Sequence, residues 1–392
     1  MCYAIPGKVA SVNDNIITVD YFGETKKARN DFQKIAVGDY IYAQGGFVIN
    51  KIPEKEALEI LDSWKELFQE LKKIDLKLSR ASSTLFQTAN NIRQKELGNS
   101  CCVHGIIEFS NYCENNCFYC GIRKDHTELP RYRMTVEEIV AAADRAVNKL
   151  GFKALVLQAG EDPWYSEEKL IELVHKIREK CAVLLFLSLG EQPFSTYKKL
   201  YAAGARGVLL RFETSNPELY SIMRPGKILA DRINLLKSLR ELDYLVATGS
   251  IIGLPGATAE DFLNDITTAK AIQPEMYSFG PLVPHPSTPL SGRPTIDMNT
   301  LLEVIARCRI ADPQGKIVVT TAFETLYGEE GKKQGLMAGA NSLMLNVTPP
   351  PQRKLYDIYP HRAGIDKSIE EQIKETIELL YSLGRAPTDL GL

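Results

Sequence analysis

The strongest constraint on the fold is an alternation of apolar runs and amphipathic stretches that begins after Ser100. The apolar runs are VHGIIEF, ALVLQAG, LLFLSLG, GVLLRFE, VATGSII, MYSFGPL, KIVVTTA and SLMLNV, and helical patterns such as TVEEIVAAADRAVNKL, YSEEKLIELVHKIREK and DRINLLKSLREL separate them. Eight β-then-α units without an obvious reversal predict an α/β fold with a closed parallel (β/α)8 barrel of the TIM type. An open doubly wound sheet is the alternative.

The predicted strands repeatedly end in polar side chains. Active sites of such barrels lie at the C-terminal ends of the strands, so these residues predict a polar and largely enclosed cavity there. A share of them is expected to cap helices instead. The residues are Glu108, Ser110, Asn111, Gln158, Glu161, Asp162, Glu191, Arg211, Glu213, Thr214, Thr320, Thr321, Asn346 and Thr348.

The first 52 residues follow a different pattern. Short β-like runs punctuated by Asn and Gly, among them KVASV, IITVDYF and DYIYAQGGFVINKI, predict a small OB-like β-barrel. From Pro53 the sequence EKEALEILDSWKELFQELKKIDLKL has apolar residues at helical spacing, and a second helix is expected to end at Gly98-Asn99. We therefore predict a β-barrel domain over 1–52, a helical linker over 53–79 and the large barrel over 80–392.

Charge and hydropathy exclude several classes of protein. A net charge of −2 does not suggest a nucleic-acid-binding surface. The longest apolar run, CAVLLFLSLG, is much shorter than the roughly 20 residues of a membrane helix, and the N-terminus does not resemble a signal peptide. These features predict a cytoplasmic protein without membrane or nucleic-acid partners. The eight cysteines then indicate metal ligands or catalytic thiols rather than disulfides.

Three cysteines form the motif CxxxCxxC directly after the first barrel strand: Cys113, Cys117 and Cys120. Three thiolates on one loop suit a soft metal or an iron–sulfur cluster, and three ligands for four irons leave one coordination position open. A structural zinc completed by His126 is the alternative. The other barrel cysteines are predicted to be ordinary core thiols: Cys101, Cys102, Cys181 and Cys308.

The motif, with an aromatic residue before its last cysteine and its place after the first strand, resembles the radical S-adenosylmethionine superfamily. The resemblance implies an enzyme with a [4Fe-4S] cluster at Cys113, Cys117 and Cys120 and S-adenosyl-L-methionine on the open iron. It further implies reductive cleavage to a 5′-deoxyadenosyl radical. An electron donor such as a ferredoxin or flavodoxin is expected.

Further stretches resemble the HydE group of hydrogenase maturases, relatives of biotin synthase and methylornithine synthase, from about residue 80 onward. They include QAGEDP, LLRFETSNPELY, GSIIGLPG, GPLVPHPSTPL, GANSLMLNVTP and LYDIYP. The resemblance implies two sets of site residues. Cofactor-binding residues are Tyr119, Gln158, Gly160, Glu161, Arg211, Glu213 and Arg232, and substrate-binding residues are His104, Thr320, Thr321 and Tyr356.

Within the cofactor set, Glu213 and Arg232 match residues expected to bind the methionine amino and carboxylate groups. A zwitterion requires one anion and one cation, and Arg offers a bidentate fork. A surface position on a helix is the alternative for Arg232. The chain departs from the group in two respects: His104 stands where an Arg is expected, and no second cysteine cluster follows Cys308.

The N-terminal stretch MCYAIPGKV and the segment VGDYIYAQGGFVINKI resemble HypC, the small chaperone that carries an iron carbonyl–cyanide group in nickel–iron hydrogenase maturation. The resemblance implies that Cys2 is an iron-carrier thiol and that HypD-like maturation proteins or a hydrogenase subunit are partners. Gln44 stands where such proteins usually have a His. An ordinary small residue at the start of a strand is the alternative for Cys2.

Three functional hypotheses follow. The first is a radical S-adenosylmethionine enzyme that acts in assembly of a hydrogenase-type iron cofactor on a small sulfur- or iron-bearing substrate. The second is a carbon-skeleton or sulfur-transfer enzyme of the methylornithine synthase or biotin synthase type, which acts on an amino acid. The third is a non-catalytic iron scaffold. Formation of 5′-deoxyadenosine separates the third from the other two.

Overall fold

The computed structural model describes residues 5–79 and 84–389, which form two closed β-barrels. The first barrel has five short strands in the order β1-β2-β3-β5-β4. These strands are β1 (Gly7–Asn13), β2 (Ile16–Tyr21), β3 (Glu24–Arg29), β4 (Tyr40–Gln44) and β5 (Phe47–Ile52). Alternate residues of β2, namely Ile17, Val19 and Tyr21, point into this small core, as the two-residue period of a strand requires.

Two helices connect the barrels. Helix α1 (Glu54–Ser79) follows β5 directly, and helix α2 (Leu85–Leu97) begins where the Thr84 hydroxyl accepts a hydrogen bond from the Gln87 amide. Helix α2 ends at Gly98, whose φ of 63° lies in the left-handed region that glycine tolerates. The predicted helix end at Gly98-Asn99 is thereby confirmed.

The second barrel contains eight parallel strands that pair in chain order and close between the last strand and the first. They are β6 (Cys102–Ser110), β7 (Ala154–Ala159), β8 (Leu184–Ser188), β9 (Gly207–Leu209), β10 (Leu245–Thr248), β12 (Met276–Tyr277), β14 (Lys316–Val319) and β15 (Ser342–Asn346). A small extra sheet pairs β11 (Ile251–Ile252) with β13 (Gly280–Pro281). The predicted (β/α)8 barrel is confirmed, although several strands end earlier than their apolar runs.

Helices lie between the strands and bury their apolar sides against the barrel wall. They are α3 (Val136–Asp144, continued by a π-helical turn Arg145–Lys149), α4 (Glu167–Lys180), α5 (Phe194–Ala203), α6 (Pro217–Met223), α7 (Leu229–Glu241), α8 (Ala259–Ala271), α9 (Met298–Ala311), α10 (Thr321–Met337), α11 (Pro350–Leu355) and α12 (Ile369–Ser382). Within the described ranges, no helix combines the length and the apolar character required to cross a bilayer.

The N-terminal barrel closes the base of the large barrel, which is the end where its strands begin. Phe47 and Tyr42 share a core cluster with Phe186 and Leu245 of the large barrel. A Cβ placed on Gly45 would lie 2.9 Å from a methyl group of Leu184, the first residue of β8. The loop between β4 and β5 therefore seals the barrel from below and leaves the opposite mouth for chemistry.

Candidate active site

The three-cysteine loop follows β6 and lies at the mouth of the large barrel. Arg131 fixes its shape, because its guanidinium donates hydrogen bonds to the carbonyl oxygens of Ile122 at 2.8 Å, Arg123 at 2.7 Å and Asn111. Gly160 lets the next loop approach closely, since a Cβ there would lie 2.1 Å from the Tyr112 carbonyl oxygen. The conformation of the cysteine loop is thus fixed by hydrogen bonds to its carbonyl oxygens and by a close contact that only glycine permits at position 160.

The thiols of this loop lie in an environment that suits a metal cluster. Burial raises the pKa of Cys113, Cys117 and Cys120, so that a bare thiolate is disfavoured at each position. Buried Arg224 places its positive charge and a hydrogen bond next to Cys117 and thereby opposes that rise in the Cys117 pKa. Since a bound metal ion deprotonates coordinating thiols, this donor set fits an iron–sulfur cluster.

A cavity of about 290 Å³ opens beside the cysteine loop. Its wall is formed by the C-terminal ends of the strands and the loops that follow them, which is where barrels of this type place their active sites. The predicted residues among those that line it are Glu108, Cys113, Cys117, Tyr119, Cys120, Gln158, Gly160, Glu161, Arg211, Glu213, Arg232, Thr320, Thr321, Asn346 and Tyr356. The structure therefore brings most of the predicted site residues together.

Glu213 supplies a negative charge in this cavity. Its φ is 71°, an unusual backbone conformation for a residue with a side chain, and such conformations cluster at functional sites. The Oε2 atom of Glu213 lies 3.2 Å from the Arg211 guanidinium, yet it is buried and lacks a hydrogen-bond donor among the described residues. A buried carboxylate oxygen without a donor fits the ammonium group of an amino-acid ligand.

Arg232 belongs to a network of charges at the same mouth. Its Nε atom donates to Glu191 at 2.6 Å, and a second nitrogen donates to the Arg211 carbonyl oxygen at 3.2 Å. Although it lies on helix α7, Arg232 is buried rather than on the surface. Glu191 also forms ion pairs with Arg224 and with Lys227. Arg232 is therefore held in place by Glu191 and still contributes to the cavity wall.

Glu161 follows β7 and approaches a neighbouring loop. Gly190 has a φ of 71°, and a Cβ at this position would lie 2.3 Å from the Glu161 Oε1 atom. Arg224 and Lys227 approach the same carboxylate at 3.5 and 3.7 Å. The close fit of Glu161 against a glycine in the left-handed region fixes the carboxylate at the cavity rim.

Thr320, Thr321 and Tyr356 lie on another part of the wall, together with Tyr359 and Arg362, two residues that we did not predict from the sequence. The Thr321 and Tyr359 hydroxyls are 2.6 Å apart. The hydroxyl groups on this part of the wall can donate hydrogen bonds to polar or anionic groups of a ligand.

Arg362 forms a buried ion pair with Glu108 at the end of β6, with one contact of 3.0 Å. Asn346 donates a further hydrogen bond to Glu108 at 2.7 Å. Glu108 itself predicts a nearby cation, since a carboxylate at the end of an apolar strand requires a positively charged partner. The sequence does not identify Arg362 as that partner, because the two residues are far apart along the chain.

His104 does not line this cavity, in contrast to the other three residues of the predicted substrate set. It lies lower in the barrel, packs edge-on against Phe186 at a ring distance of 5.5 Å, and has Cys102 as a neighbour. Burial lowers the pKa of His104 to about 4. His104 lies on β6 two residues before Ile106, and Ile106 rather than His104 contributes to the cavity wall.

The remaining predicted cysteines and His126 lie elsewhere. Cys101, Cys181 and Cys308 are buried in the core of the large barrel, and Cys2 lies outside the described residues. The Nδ1 atom of His126 is 2.6 Å from the Gly121 carbonyl oxygen. That contact occupies one imidazole nitrogen and fixes the cysteine loop.

Comparisons with known proteins agree with this architecture. Residues 107–269 match the radical SAM superfamily, residues 278–385 match the biotin and thiamin synthesis associated domain, and residues 1–64 match the HupF/HypC family.

The chain is similar to individual proteins over most of its length. It is 40% identical to the [FeFe] hydrogenase maturase subunit HydE of Thermotoga maritima over 335 residues, which is 85% of this chain and 95% of the relative. It is 29% identical to 3-methylornithine synthase of Methanosarcina acetivorans over 77% of this chain and 85% of that protein. The crystal structure of methylornithine synthase (PylB) superposes with a TM-score of 0.68 at 26% identity and covers 82% of this chain and 97% of PylB. These matches show that the chain belongs to the radical S-adenosylmethionine superfamily, as a HydE-like enzyme that has a HypC-like module at its N-terminus.

Proposed function

We propose that the cysteine loop holds a [4Fe-4S] cluster through Cys113, Cys117 and Cys120 and that the adjoining cavity binds S-adenosyl-L-methionine. Together these groups, when bound, supply a 5′-deoxyadenosyl radical by one-electron reductive cleavage. The observation that carries the proposal is the opening of a cavity with charged side chains in its wall directly beside three half-buried thiols at the barrel mouth. A low-potential ferredoxin or flavodoxin is the proposed source of the electron.

The side chains of the mouth orient the cofactor. Glu213 offers a carboxylate oxygen without a donor to the methionine ammonium group. Arg232, held by Glu191 at 2.6 Å, offers its guanidinium to the methionine carboxylate. Gly160 and Glu161 border the same part of the cavity. One fixed anion and one fixed cation set the direction in which a zwitterion can bind.

The substrate is proposed to be a small polar molecule bound by Thr320, Thr321, Tyr356 and Tyr359. Burial raises the pKa of both tyrosines, so their hydroxyls remain protonated and can donate hydrogen bonds to an anionic group. Arg362 adds positive charge at this end, although its pairing with Glu108 offsets part of that charge. The composition of the wall favours a carboxylate or another anionic group on the substrate.

Anaerobic reconstitution tests the first step. The wild-type chain, reconstituted with iron and sulfide and reduced by dithionite, is expected to convert S-adenosyl-L-methionine to 5′-deoxyadenosine, whereas Cys117→Ala is expected to form none. Cys181→Ala removes a buried thiol from the barrel wall and is the matched control. Failure of the reconstituted wild-type chain to form 5′-deoxyadenosine would favour the scaffold hypothesis.

Hydrogenase maturation is the proposed biological role. It is supported by the identity to HydE over most of both chains and by the HypC-like module on the same chain. We propose that Cys2 carries iron and that the module contacts a HypD-like maturation protein or a hydrogenase subunit. In a cell-free maturation assay that lacks HydE, the wild-type chain is expected to restore hydrogenase activity, and Cys117→Ala is not.

Carbon-skeleton rearrangement of an amino acid is the second candidate function. The similarity to 3-methylornithine synthase over 77% of this chain supports it. Incubation of the reconstituted enzyme with lysine and other amino acids, followed by mass spectrometry, distinguishes the two candidates. A rearranged product, with no activity in the maturation assay, would favour the second candidate.

A further inference from the structure

Arg224 directly follows helix α6 and lies against the cysteine loop. The Phe118 amide donates a hydrogen bond to the Met223 carbonyl oxygen at 2.9 Å, which places the residue after Cys117 against the residue before Arg224. The Met223 side chain packs in one apolar cluster with Phe118 and Tyr119. Arg224 and Cys117 line the same cavity. Backbone and side-chain contacts therefore fix the position of Arg224 beside this cysteine.

The guanidinium of Arg224 has more donor groups than partners in the protein. Its side chain is 3% exposed, and one Nη atom donates hydrogen bonds to the Tyr220 hydroxyl at 2.9 Å and to Glu191 at 3.4 Å. The Nε atom is buried and lacks an acceptor among the described residues. Since a buried N–H group without an acceptor carries a free-energy cost, such a group indicates a site that a ligand completes. Arg224 can therefore donate a further hydrogen bond to a group bound beside it.

The ion pairs around Arg224 leave one positive charge without a carboxylate. Glu191 pairs with Lys227 at 2.9 Å and with Arg232 at 2.6 Å. Arg224 lies 3.4 Å from Glu191 and 3.5 Å from Glu161, and Lys227 approaches Glu161 at 3.7 Å. Two carboxylates thus face three cations, and each carboxylate keeps a cation if Arg224 is removed. Arg224 is therefore not required to neutralise this group.

The other charged side chains of the cavity wall pair with one another. These pairs are Arg211 with Glu213, at 3.2 Å, and Arg362 with Glu108. The described part of the wall therefore has an excess of positive charge, and Arg224 brings that charge to the cysteine loop. Burial raises the pKa of Cys117, and the Arg224 charge opposes that rise. The charge of Arg224 thus acts on a sulfur atom that the proposed function assigns to the cluster.

A positive charge at this place favours the reduced state of an iron–sulfur cluster. Reduction adds a negative charge to a cluster that is bound by three thiolates, so a nearby cation stabilises the reduced state more than the oxidised state. Net charge, hydrogen bonds to the sulfur atoms and solvent exposure are among the quantities that set the reduction potential of such clusters. Arg224 supplies the first two, as a buried cation with an N–H group that has no other acceptor among the described residues.

We propose that Arg224 is a positioning residue that raises the reduction potential of the cluster through its buried positive charge and its Nε–H group. The electron comes from the low-potential donor, which is oxidised as the cluster is reduced. The inference rests on the proposed function, because it requires a [4Fe-4S] cluster at the cysteine loop. This role of Arg224 is separate from the orientation of S-adenosyl-L-methionine by Glu213 and Arg232.

A redox titration of the reconstituted holoenzyme tests this role. The reduced cluster is quantified by electron paramagnetic resonance at a series of potentials, without S-adenosyl-L-methionine and after the iron content of each protein has been measured. Arg224→Gln is expected to disfavour reduction about tenfold, which lowers the reduction potential by about 59 mV for transfer of one electron. Arg224→Lys keeps the positive charge but not the guanidinium Nε–H group, so a smaller fall is expected.

Lys227→Gln is the matched control, since it removes one positive charge from the same group of ion pairs. The Lys227 side chain is 29% exposed, so solvent screens its charge, and the potential should fall much less than in Arg224→Gln. A wild-type potential in Arg224→Gln, or equal potentials in Arg224→Gln and Lys227→Gln, would overturn the inference.

Two further outcomes have a defined meaning. If Arg224→Gln binds less iron than the wild type, Arg224→Lys takes its place in the comparison, and a wild-type potential in that variant would overturn the inference. A wild-type chain that shows no signal of a reduced four-iron cluster would contradict the proposed function, and the role of Arg224 would fall with it. A normal wild-type titration with unchanged potentials in the variants would overturn the inference alone.

Discussion

The two ends of the large barrel are formed by the same eight strands but have different surroundings. At the mouth, polar residues at the strand ends line a cavity beside the cysteine loop. At the base, aromatic residues of the N-terminal barrel, including Tyr42 and Phe47, pack against the large barrel, and polar groups cluster around Lys316 and around Asp31. The comparison indicates that the fused module replaces solvent at the base of the barrel.

The difference has a functional consequence. In the part of the chain that the structure describes, a barrel closed from below leaves the mouth as the opening of the cavity, and the low dielectric of an enclosed cavity strengthens each charge interaction within it. Separate substitutions at the two ends should therefore have separable effects on catalysis and on stability.

The largest effect is expected from a charge left unpaired near the mouth. Arg362→Met leaves Glu108 without its guanidinium partner in a buried position. We expect the free energy of unfolding to fall by about 4 kcal/mol, as measured by guanidinium denaturation. The double variant Glu108→Gln/Arg362→Met is the control and should recover most of this loss. Equal losses in the single and double variants would mean that the mouth does not depend on charge pairing.

At the base, loss of apolar packing is expected to cost slightly less. Phe47→Ala removes an aromatic ring from the cluster shared by the two barrels and should lower the free energy of unfolding by about 3 kcal/mol. Formation of 5′-deoxyadenosine at a temperature where the variant remains folded should stay unchanged. Val37→Ala, at an exposed position, is the control and should change stability by less than about 0.5 kcal/mol. A loss of activity in the folded Phe47 variant would show that packing at the base also affects catalysis at the mouth.

The sequence predicted both barrels because each depends on local patterns. Strands buried in a parallel barrel are continuous apolar runs, and β6, β7 and β8 follow this rule closely. The cysteine loop and the residues at the strand ends converge because all parallel strands end at the same mouth. Position along the chain was therefore enough to group Cys113, Gln158 and Glu213 in one cavity.

The docking of the module could not be predicted in the same way, because it depends on surfaces distant in sequence. Strand β4 has all five residues buried, Tyr40 to Gln44, which is more than a small barrel with one core requires. That continuous burial indicates a second apolar contact but does not identify the partner. His104 was assigned to the substrate set by resemblance, and its place on β6, two residues before the cavity-lining Ile106, keeps it outside the cavity wall. The domain boundaries at 52/53 and 79/80 stay predictions.

Two glycines, one at each end of the large barrel, test whether a backbone change affects ligand binding only at the mouth. Gly190 at the mouth and Gly45 at the base both have positive φ, at 71° and 54°, so alanine at either should cost about 1 kcal/mol in stability. The Cβ of alanine at position 190 would displace the Glu161 carboxylate, whereas at position 45 it would meet movable methyl groups of Leu184. We expect Gly190→Ala to raise the KM for S-adenosyl-L-methionine and Gly45→Ala to leave it unchanged. Equal KM values would contradict the role of Glu161 at the rim.

The smallest effect is expected from an exposed ion pair that joins the two barrels. Asp243, whose side chain is 64% exposed, pairs with Arg29 at 3.1 Å. Asp243→Asn removes the charge but keeps a side chain that tolerates the observed φ of 65°, so the free energy of unfolding should change by no more than about 0.5 kcal/mol. Asp31 is the buried counterpart at the same interface, with Arg29 and Arg206 each 2.7 Å away.

Asp31→Asn should therefore lower the free energy of unfolding by several times the change in Asp243→Asn, because it leaves the buried guanidinium of Arg206 with a neutral partner. Both variants are measured by urea denaturation at low and at high salt. Added salt should reduce the effect of Asp243→Asn and have little influence on that of Asp31→Asn, since buried pairs are screened less. Equal effects of the two variants would show that the module is held by its exposed charges rather than by the buried contact at the barrel base.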